Sequence, residues 1–408
     1  MQLAFILGSN PELSAQEITA AATTLPFPWN ISMIRPGILG LKSVTDFEWE
    51  GNGISGFVSQ EQQDLRQTLT HLQRRLGGTR EICWLLEPVR EEHFLRSVFK
   101  AITGTFAESS KWTIGGLTHK EGLQLKRELR SEGGNLRFID VANDASIWHN
   151  HLDLLRFDTH HPALNVSRID GKLAVTLTVQ DVEEYSRRDF GIPVPDPASG
   201  MLPPKLAQAM INLAVGDTKN AIVYDPFCGN GRLLLEGQAM GFSVFGSDIV
   251  SEKAEASIKN LAWLTYFDPT YQPELRIWQA DATSSATISQ LQTHITSQQG
   301  LNEDEKLFII AEPYLGQPLR RPLKAEESKI WLKELSPLYL HFLETWGGES
   351  FAGMLLIFPA AKTEDGEVSL LEHLFDRVKM LGYTPKSRSR YARPDAFVSR
   401  DLVSLTRI

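Results

Sequence analysis

From about residue 206 onwards, short apolar runs alternate with longer stretches whose apolar positions recur at helical spacing. That alternation predicts a largely parallel sheet wrapped by helices. Residues 221–225 read as a buried strand, 232–240 as a helix stopped by Gly241, and 243–248 as a second strand. A helix at 252–265, a strand at 275–279, a helix at 287–297 and a fourth strand at 307–310 continue the pattern. A long helix at 327–345, a strand at 354–358 and a helix at 370–381 come next. Residues 388–390 and 397–405 alternate like strands with no further helix, which predicts a closing hairpin with one strand antiparallel.

The first half is less regular. Residues 1–65 contain a strand at 3–7, a helix with Ser14 as N-cap and Glu17 completing a capping box, and strands near 38–43 and 54–58. Residues 66–180 run helix, strand (82–86), helix (91–103), strand, helix (120–131), strand (137–140), and end in the alternating run 174–179. Both read as small α+β units, 1–65 and 66–180. Prolines 193, 195, 197, 203 and 204 interrupt the next stretch, so 181–205 reads as a linker into a catalytic domain at 206–408.

With 408 residues the chain is long enough for two or three domains, and 42% hydrophobic with 22% charged residues is ordinary globular usage. The two cysteines, Cys83 and Cys228, form no Cys-x-x-Cys pair, so neither a disulfide framework nor a cysteine zinc site is expected. The apolar run 3–7 is too short for a secretory signal and no stretch approaches the ~20 apolar residues of a membrane span. A cytoplasmic protein is the expectation. A net charge of −9 argues against a surface that grips nucleic acid everywhere. Two local basic segments remain, Lys111 to Arg137 and Lys386 to Arg400.

The strongest chemical signal is Asp225-Pro226-Phe227-Cys228-Gly229-Asn230-Gly231, leaving a predicted strand and entering a helix. Glycines there allow close backbone approach to a ligand, and the helix N-terminus offers unpaired N–H groups. Leu234 stands where a dinucleotide fingerprint needs its third glycine, and no Gly-Lys-Ser/Thr comes after it, so neither nucleotide loop is complete. Asp248 and Asp281 end the next two strands and Glu312-Pro313-Tyr314-Leu315-Gly316 leaves the fourth. In an open α/β sheet all these strand ends face one crevice. An acidic residue after a strand also serves as a helix N-cap, and Cys228 is better suited to packing than to attack. His149, His151, His160 and His161 lack a helix-spaced carboxylate, so no metal is expected.

The first and fourth strand-end motifs resemble those of S-adenosylmethionine-dependent amino-group methyltransferases. The chain is most similar to the THUMP-containing tRNA guanine-N2 methyltransferases that act on the guanosine at position 10. Further resemblance lies in Asn10-Pro11-Glu12-Leu13-Ser14, Leu76-Gly77-Gly78-Thr79, Gly122-Leu123-Gln124-Leu125-Lys126, and Arg188-Asp189 leading to Pro203-Pro204-Lys205-Leu206-Ala207. The resemblance implies a Rossmann-like α/β domain with a seven-stranded methyltransferase sheet and an antiparallel terminal hairpin. Ahead of it would stand a ferredoxin-like N-terminal domain and a THUMP-like RNA-binding domain. It implies S-adenosyl-L-methionine held by Asp225, Pro226, Phe227, Gly229, Gly231, Asp248, Ile249, Asp281 and Ala282, and chemistry at Glu312, Pro313 and Tyr314. It implies tRNA as substrate, held by Lys120, Lys126, Arg127, Arg130, Arg187 and Arg188, and leaves open a small activating protein subunit. In that family the fourth motif begins with Asp or Asn, whose side chain accepts amine hydrogens. Here Glu312, one methylene longer, occupies that position. Two alternatives stay open: a DNA adenine amino methyltransferase, and a non-catalytic RNA-binding protein.

Overall fold

The computed structural model describes residues 2–25, 29–43, 60–88, 93, 95–96, 112–115, 117–131, 136–138, 163–196, 201–264, 276–297, 304–393 and 395–407. The chain divides into two compact units, Met1–Glu184 and Tyr185–Ile408.

In the first unit one sheet collects eight strands: β1 (Gln2–Leu7), β2 (Trp29–Arg35), β3 (Ile38–Ser43), β4 (Thr79–Pro88), β5 (Trp112–Gly115), β6 (Leu136–Phe138), β7 (Ala163–Ile169) and β8 (Lys172–Val179). Their order is β2-β3-β1-β4-β8-β7-β5-β6. Helices α1 (Pro11–Ala21), α2 (Gln60–Arg75) and α3 (His119–Ser131) belong to the same unit. Leu3, Phe5, Leu41 and Ile82 from the strands pack with Ile18 of α1 and Leu69 and Leu72 of α2. The boundary expected at residue 65 therefore falls inside one sheet, because β1 pairs antiparallel with both β3 and β4.

The capping box expected at Ser14 and Glu17 takes another form. The helix starts four residues earlier, at Pro11 with Asn10 as N-cap, and the Ser14 hydroxyl, inside it, donates to the Asn10 carbonyl at 2.8 Å. Glu17, fully buried, accepts the backbone N–H groups of Gly77 and Gly78, each at 2.8 Å. A side chain at Gly78 would collide with Ser14 Oγ at 2.2 Å, so this glycine is required by close packing. The strand expected at 54–58 lies outside the described residues.

In the second unit the seven-strand path reads β11 (Ile277–Gln279), β10 (Ser243–Asp248), β9 (Ala221–Asp225), β12 (Lys306–Ala311), β13 (Gly353–Thr363), β16 (Val398–Arg407), β15 (Tyr383–Tyr391), with β14 (Gly366–Ser369) paired to β13. Strands β9 to β13 run parallel, whereas β16 pairs antiparallel with both β13 and β15. A dinucleotide-binding sheet would instead end in an uninterrupted 4-5-6 edge. The insertion of the last strand beside β13 realises the expected hairpin.

The connecting helices are α4 (Val182–Phe190), α5 (Pro204–Val215), α6 (Arg232–Ala239), α7 (Ser251–Leu264), α8 (Ser285–Ser297), α9 (Ala325–Trp346) and α10 (Leu370–Met380). Helix α4 corrects the linker reading at residues 182–190: its regular turns bury Tyr185 and Arg188, which the polar sequence there hides. Strand β9 is buried on both faces, as its continuous apolar run demands. Tyr224, Phe245, Trp331, Phe342, Trp346 and Phe358 form the centre of the larger core.

Candidate active site

The chain reverses direction across the sheet between β9 and β12, since β10 and β11 lie to one side and β13 to the other. Ligands of open parallel sheets bind beyond the carboxyl ends of the strands at that point. Asp225, Asp248 and Glu312 all stand there, ending or following β9, β10 and β12.

The turn after β9 is pinned from several sides. Asp225 accepts the Phe227 N–H at 3.0 Å, and Asp248 accepts the Gly229 N–H at 2.9 Å through one oxygen and the Val250 N–H at 3.0 Å through the other. Gly229 and Gly231 take left-handed φ values of +51° and +79°, a conformation that side chains with a Cβ rarely adopt. A Cβ at Gly231 would meet Ser257 Oγ at 2.3 Å, whereas one at Gly229 would meet nothing within 4 Å. Gly231 thus fits the turn into the fold, and Gly229 borders open space. Pro226 is buried, and the Phe227 ring packs against Phe342 with centroids 5.3 Å apart. Cys228 is buried and its thiol is pushed up by burial, a packing residue behind the turn.

The other expected cofactor positions separate into side chains and backbone. Ile249 follows β10 with 62% exposure, and its carbonyl accepts the Gln279 side chain at 3.0 Å. Asp281 is exposed and accepts the Thr283 N–H and hydroxyl at 2.9 and 2.7 Å, closing the turn before α8. Ala282 is buried, with its carbonyl receiving Trp346 Nε1 at 3.0 Å.

Three residues absent from the expected site hold the segment before α5 against this turn. Asn260 of α7 accepts the Val194 N–H at 2.9 Å and donates to the Val194 and Asn230 carbonyls at 3.0 and 2.9 Å. Asn230 itself donates to the Val194 carbonyl at 2.8 Å. Arg232, at the start of α6, donates to the carbonyls of Arg188 and Asp189. The available signal was the polar character of Asn260 and Arg232 amid otherwise buried helix faces.

The fourth motif forms the opposite wall. Burial pushes the Glu312 carboxyl up, while Arg400 and Arg393 pull it down. Its carboxylate pairs with Arg400 Nε at 2.5 Å. Pro313 is buried, whereas Tyr314 is 46% exposed. The Tyr339 hydroxyl fastens this loop, donating to the carbonyls of Ile357 at 3.1 Å and Tyr314 at 3.4 Å. Gly316 has φ +92°, and a Cβ there would meet Trp331 Nε1 at 2.6 Å.

Three carboxyl groups interact across the crevice. Asp225 is held well above the usual carboxylate range by burial, with the charges of Asp248 and Glu312 adding to the effect. Converging carboxylates repel a pyrophosphate and attract a cation. Among the described residues, no group of three or more His, Cys, Asp or Glu is arranged to hold a metal ion, and no helix is long and apolar enough to cross a membrane. His149, His151, His160 and His161 lie outside the described residues.

The expected RNA-contacting residues divide. On α3, Lys120, Arg127 and Arg130 are exposed along one face, with Leu123 and Gln124 between them, and Lys126 is half-buried beside it. Arg187 is exposed, with its guanidinium 5.6 Å from the centre of the Trp263 ring. Arg188 is a correction: it is 8% exposed and donates to Glu236 at 2.8 Å, with Gln208 donating to the other Glu236 oxygen at 2.8 Å. A charge so enclosed serves the core. In the second basic segment, Arg388 and Arg390 both pair with the fully buried Asp401, and also with Glu372 and Glu367.

The strand order defines a Rossmann-like α/β domain with acidic strand ends, and residues 195–298 match the family model described as UPF0020, RMKL-like, methyltransferase domain. Over short stretches the chain is similar to tRNA (guanine(10)-N2)-dimethyltransferases. With that of Pyrococcus abyssi it is 35% identical over 83 residues, 20% of this chain and 22% of the relative. With that of Methanothermobacter thermautotrophicus it is 32% identical over 111 residues, 27% and 32% of the two chains. With that of Methanocaldococcus jannaschii it is 45% identical over 65 residues, 15% and 17%. The matches thus span no more than about a third of these relatives' length. Among solved structures, TrmN from Thermus thermophilus aligns over 100% of this chain and 99% of its own, with 16% identity and a TM-score of 0.46.

Proposed function

We propose that this protein transfers a methyl group from S-adenosylmethionine to the exocyclic N2 amine of a guanosine in tRNA. The observation that carries this reading is the meeting of Asp225, Asp248 and Glu312 at the switch point of a methyltransferase-type sheet. The acidic strand ends beside Gly229 suit a ligand bearing both a sulfonium and an ammonium. The similarity to tRNA (guanine(10)-N2)-dimethyltransferases supports the choice of acceptor.

S-adenosylmethionine, when bound, supplies an electrophilic methyl group, so no metal is needed to activate the donor. Asp225, Asp248 and the Gly229 backbone would hold it. The lone pair of a guanine amine is delocalised into the ring, and a hydrogen-bond acceptor on the amine hydrogens turns that pair outward. Glu312 can be this acceptor: a carboxylate has about four lone-pair sites, and Arg400 takes one through Nε. Methylation would leave the acceptor nitrogen with a surplus proton, which the Glu312 carboxylate is placed to take. Burial raises this group's basicity in the direction such a transfer needs. The exposed ring of Tyr314 can stack on a base drawn out of its helix. Lys120, Arg127 and Arg130 offer a basic face for the RNA backbone.

Mass spectrometry of tRNA nucleosides from a strain lacking the protein tests the reading. Loss of a guanine-N2 methylated nucleoside, restored by the unaltered gene and not by Glu312→Ala, is the expected result. An unchanged tRNA profile alongside loss of methylated adenine from DNA would move the assignment to the DNA alternative.

A further inference from the structure

Glu312, just past the end of β12, finds its ion-pair partner on β16. The sheet places β13 between β12 and β16. Arg400, paired in register with Pro359 of β13, nevertheless reaches Glu312 beyond the end of β12. Two strand spacings separate β12 from β16, about 10 Å, so only two long side chains extended towards each other close the gap. An aspartate at position 312 would fall short by one methylene. Both partners are largely enclosed, with side-chain exposures of 13% for Arg400 and 17% for Glu312.

We propose that Arg400 is a positioning residue for methyl transfer, fixing the orientation of the Glu312 carboxylate so that its remaining lone pairs accept the hydrogens of the acceptor amine. The contact runs through Nε, a donor whose direction is set by the planar guanidinium. A flexible glutamate, with one more rotatable bond than aspartate, thereby loses the freedom that would cost it aim. Arg400 also sets the charge of the pair. Arg393, between β15 and β16, also favours the ionised form of Glu312, whereas the repulsion between Glu312 and Asp225 at the end of β9 falls on Asp225, which it raises. The Tyr339 hydroxyl on α9 lies within the same field and stays protonated, held up by burial and by Glu312. Without Arg400, burial would outweigh Arg393 and Glu312 would hold its proton to higher pH.

The proposal rests on the methyltransferase reading, and the experiment separates the two. Steady-state kinetics with full-length protein, unmodified tRNA and S-adenosylmethionine would be measured between pH 5 and 9 for the unaltered enzyme, Arg400→Gln, Arg400→Lys, Glu312→Asp and Glu312→Asp/Arg400→Gln. Arg400→Gln is expected to lower kcat by roughly 10- to 100-fold, to change the KM of tRNA by less than about twofold, and to move the acid limb of the kcat profile to higher pH. Arg400→Lys keeps the cation and the fold, so the acid limb should return towards its original position while kcat stays low. In the Glu312→Asp background the shorter carboxylate has no contact to lose, and Arg400→Gln should add little. If the unaltered protein methylates tRNA and both Arg400 variants match it in kcat and pH profile, the positioning role is wrong and the methyltransferase reading stands. Equal losses from Arg400→Gln in both backgrounds would likewise reduce Arg400 to a structural residue. If the unaltered protein transfers no methyl group, the methyltransferase reading itself fails.

Discussion

Asn260, on the buried side of α7, donates its amide to the carbonyl of Asn230 at 2.9 Å and so ties a helix to the turn that leaves β9. The same side chain also bonds both backbone groups of Val194. One residue thereby satisfies three backbone groups in a site that must keep its shape before any ligand arrives. Asn260→Ala would leave these groups without their partner, at a cost of about 2 kcal/mol or more. Thermal unfolding should show a clear loss of stability, and calorimetry should show weaker S-adenosylmethionine binding. Asn260→Asp, which keeps the acceptor and loses the donor, should lie between the two.

Much of this site was legible in the sequence because it depends on local pattern. The glycine turn, Asp248 and Glu312 each stand directly after an apolar run, and the run itself announces a buried strand. The clamp around Val194 was not legible, since Asn260 and Val194 are 66 residues apart and no periodicity links them. The same reason hid the continuity of the first sheet: β1 finds β4 through long-range antiparallel pairing. Glu17 shows how a local motif misleads. Its spacing from Ser14 imitates a capping box, yet it serves two glycine N–H groups sixty residues away.

On the proposed reading, Asp225 sets ligand binding against stability. Its carboxyl is enclosed, faces Asp248 and Glu312, and is held well above the usual range chiefly by burial. A raised carboxyl contributes stability below its unfolded pKa and loses it as pH rises through the folded value. Above its unfolded pKa the enclosed carboxyl therefore destabilises the fold, whether it keeps its proton or gives it up to solvent. Asp225→Asn keeps an oxygen for the Phe227 N–H and removes the charge, so it should stabilise the ligand-free protein by ~1–2 kcal/mol while weakening S-adenosylmethionine binding severely. Chemical denaturation and calorimetry on one preparation measure both. A less stable variant would contradict the electrostatic account.

Cofactor affinity should depend on pH for the same reason. A cationic ligand favours ionised Asp225, so binding to the protonated form must release a proton. Affinity is expected to fall as pH is lowered through the raised carboxyl value. Calorimetry in buffers of different ionisation enthalpy should register net proton release, which Asp225→Asn abolishes.

The two classes of arginine should behave differently on substitution. Arg127 and Arg130 project from the exposed face of α3, alongside Lys120, with α3 buried through Gly122, Leu125 and Leu129 on its other side. Reversing all three charges (Lys120→Glu, Arg127→Glu, Arg130→Glu) should leave unfolding nearly unaltered, since surface substitutions fall within about 0.5 kcal/mol each. Binding of tRNA should weaken by at least roughly tenfold, and the slope of log affinity against log salt should shrink by nearly one for each phosphate contact removed. Arg188, in contrast, lies enclosed with Glu236, Gln208 and the Tyr185 ring, 4.9 Å from its guanidinium. Arg188→Ala would strand the Glu236 carboxylate, whose charge burial already opposes and Arg188 offsets. Breaking such a pair costs about 3–5 kcal/mol, so this variant should unfold at markedly lower temperature. What remains folded should show an unaltered salt slope for tRNA. A reduced slope with intact stability would return Arg188 to the RNA-contacting set and would mean that α4 opens when RNA binds.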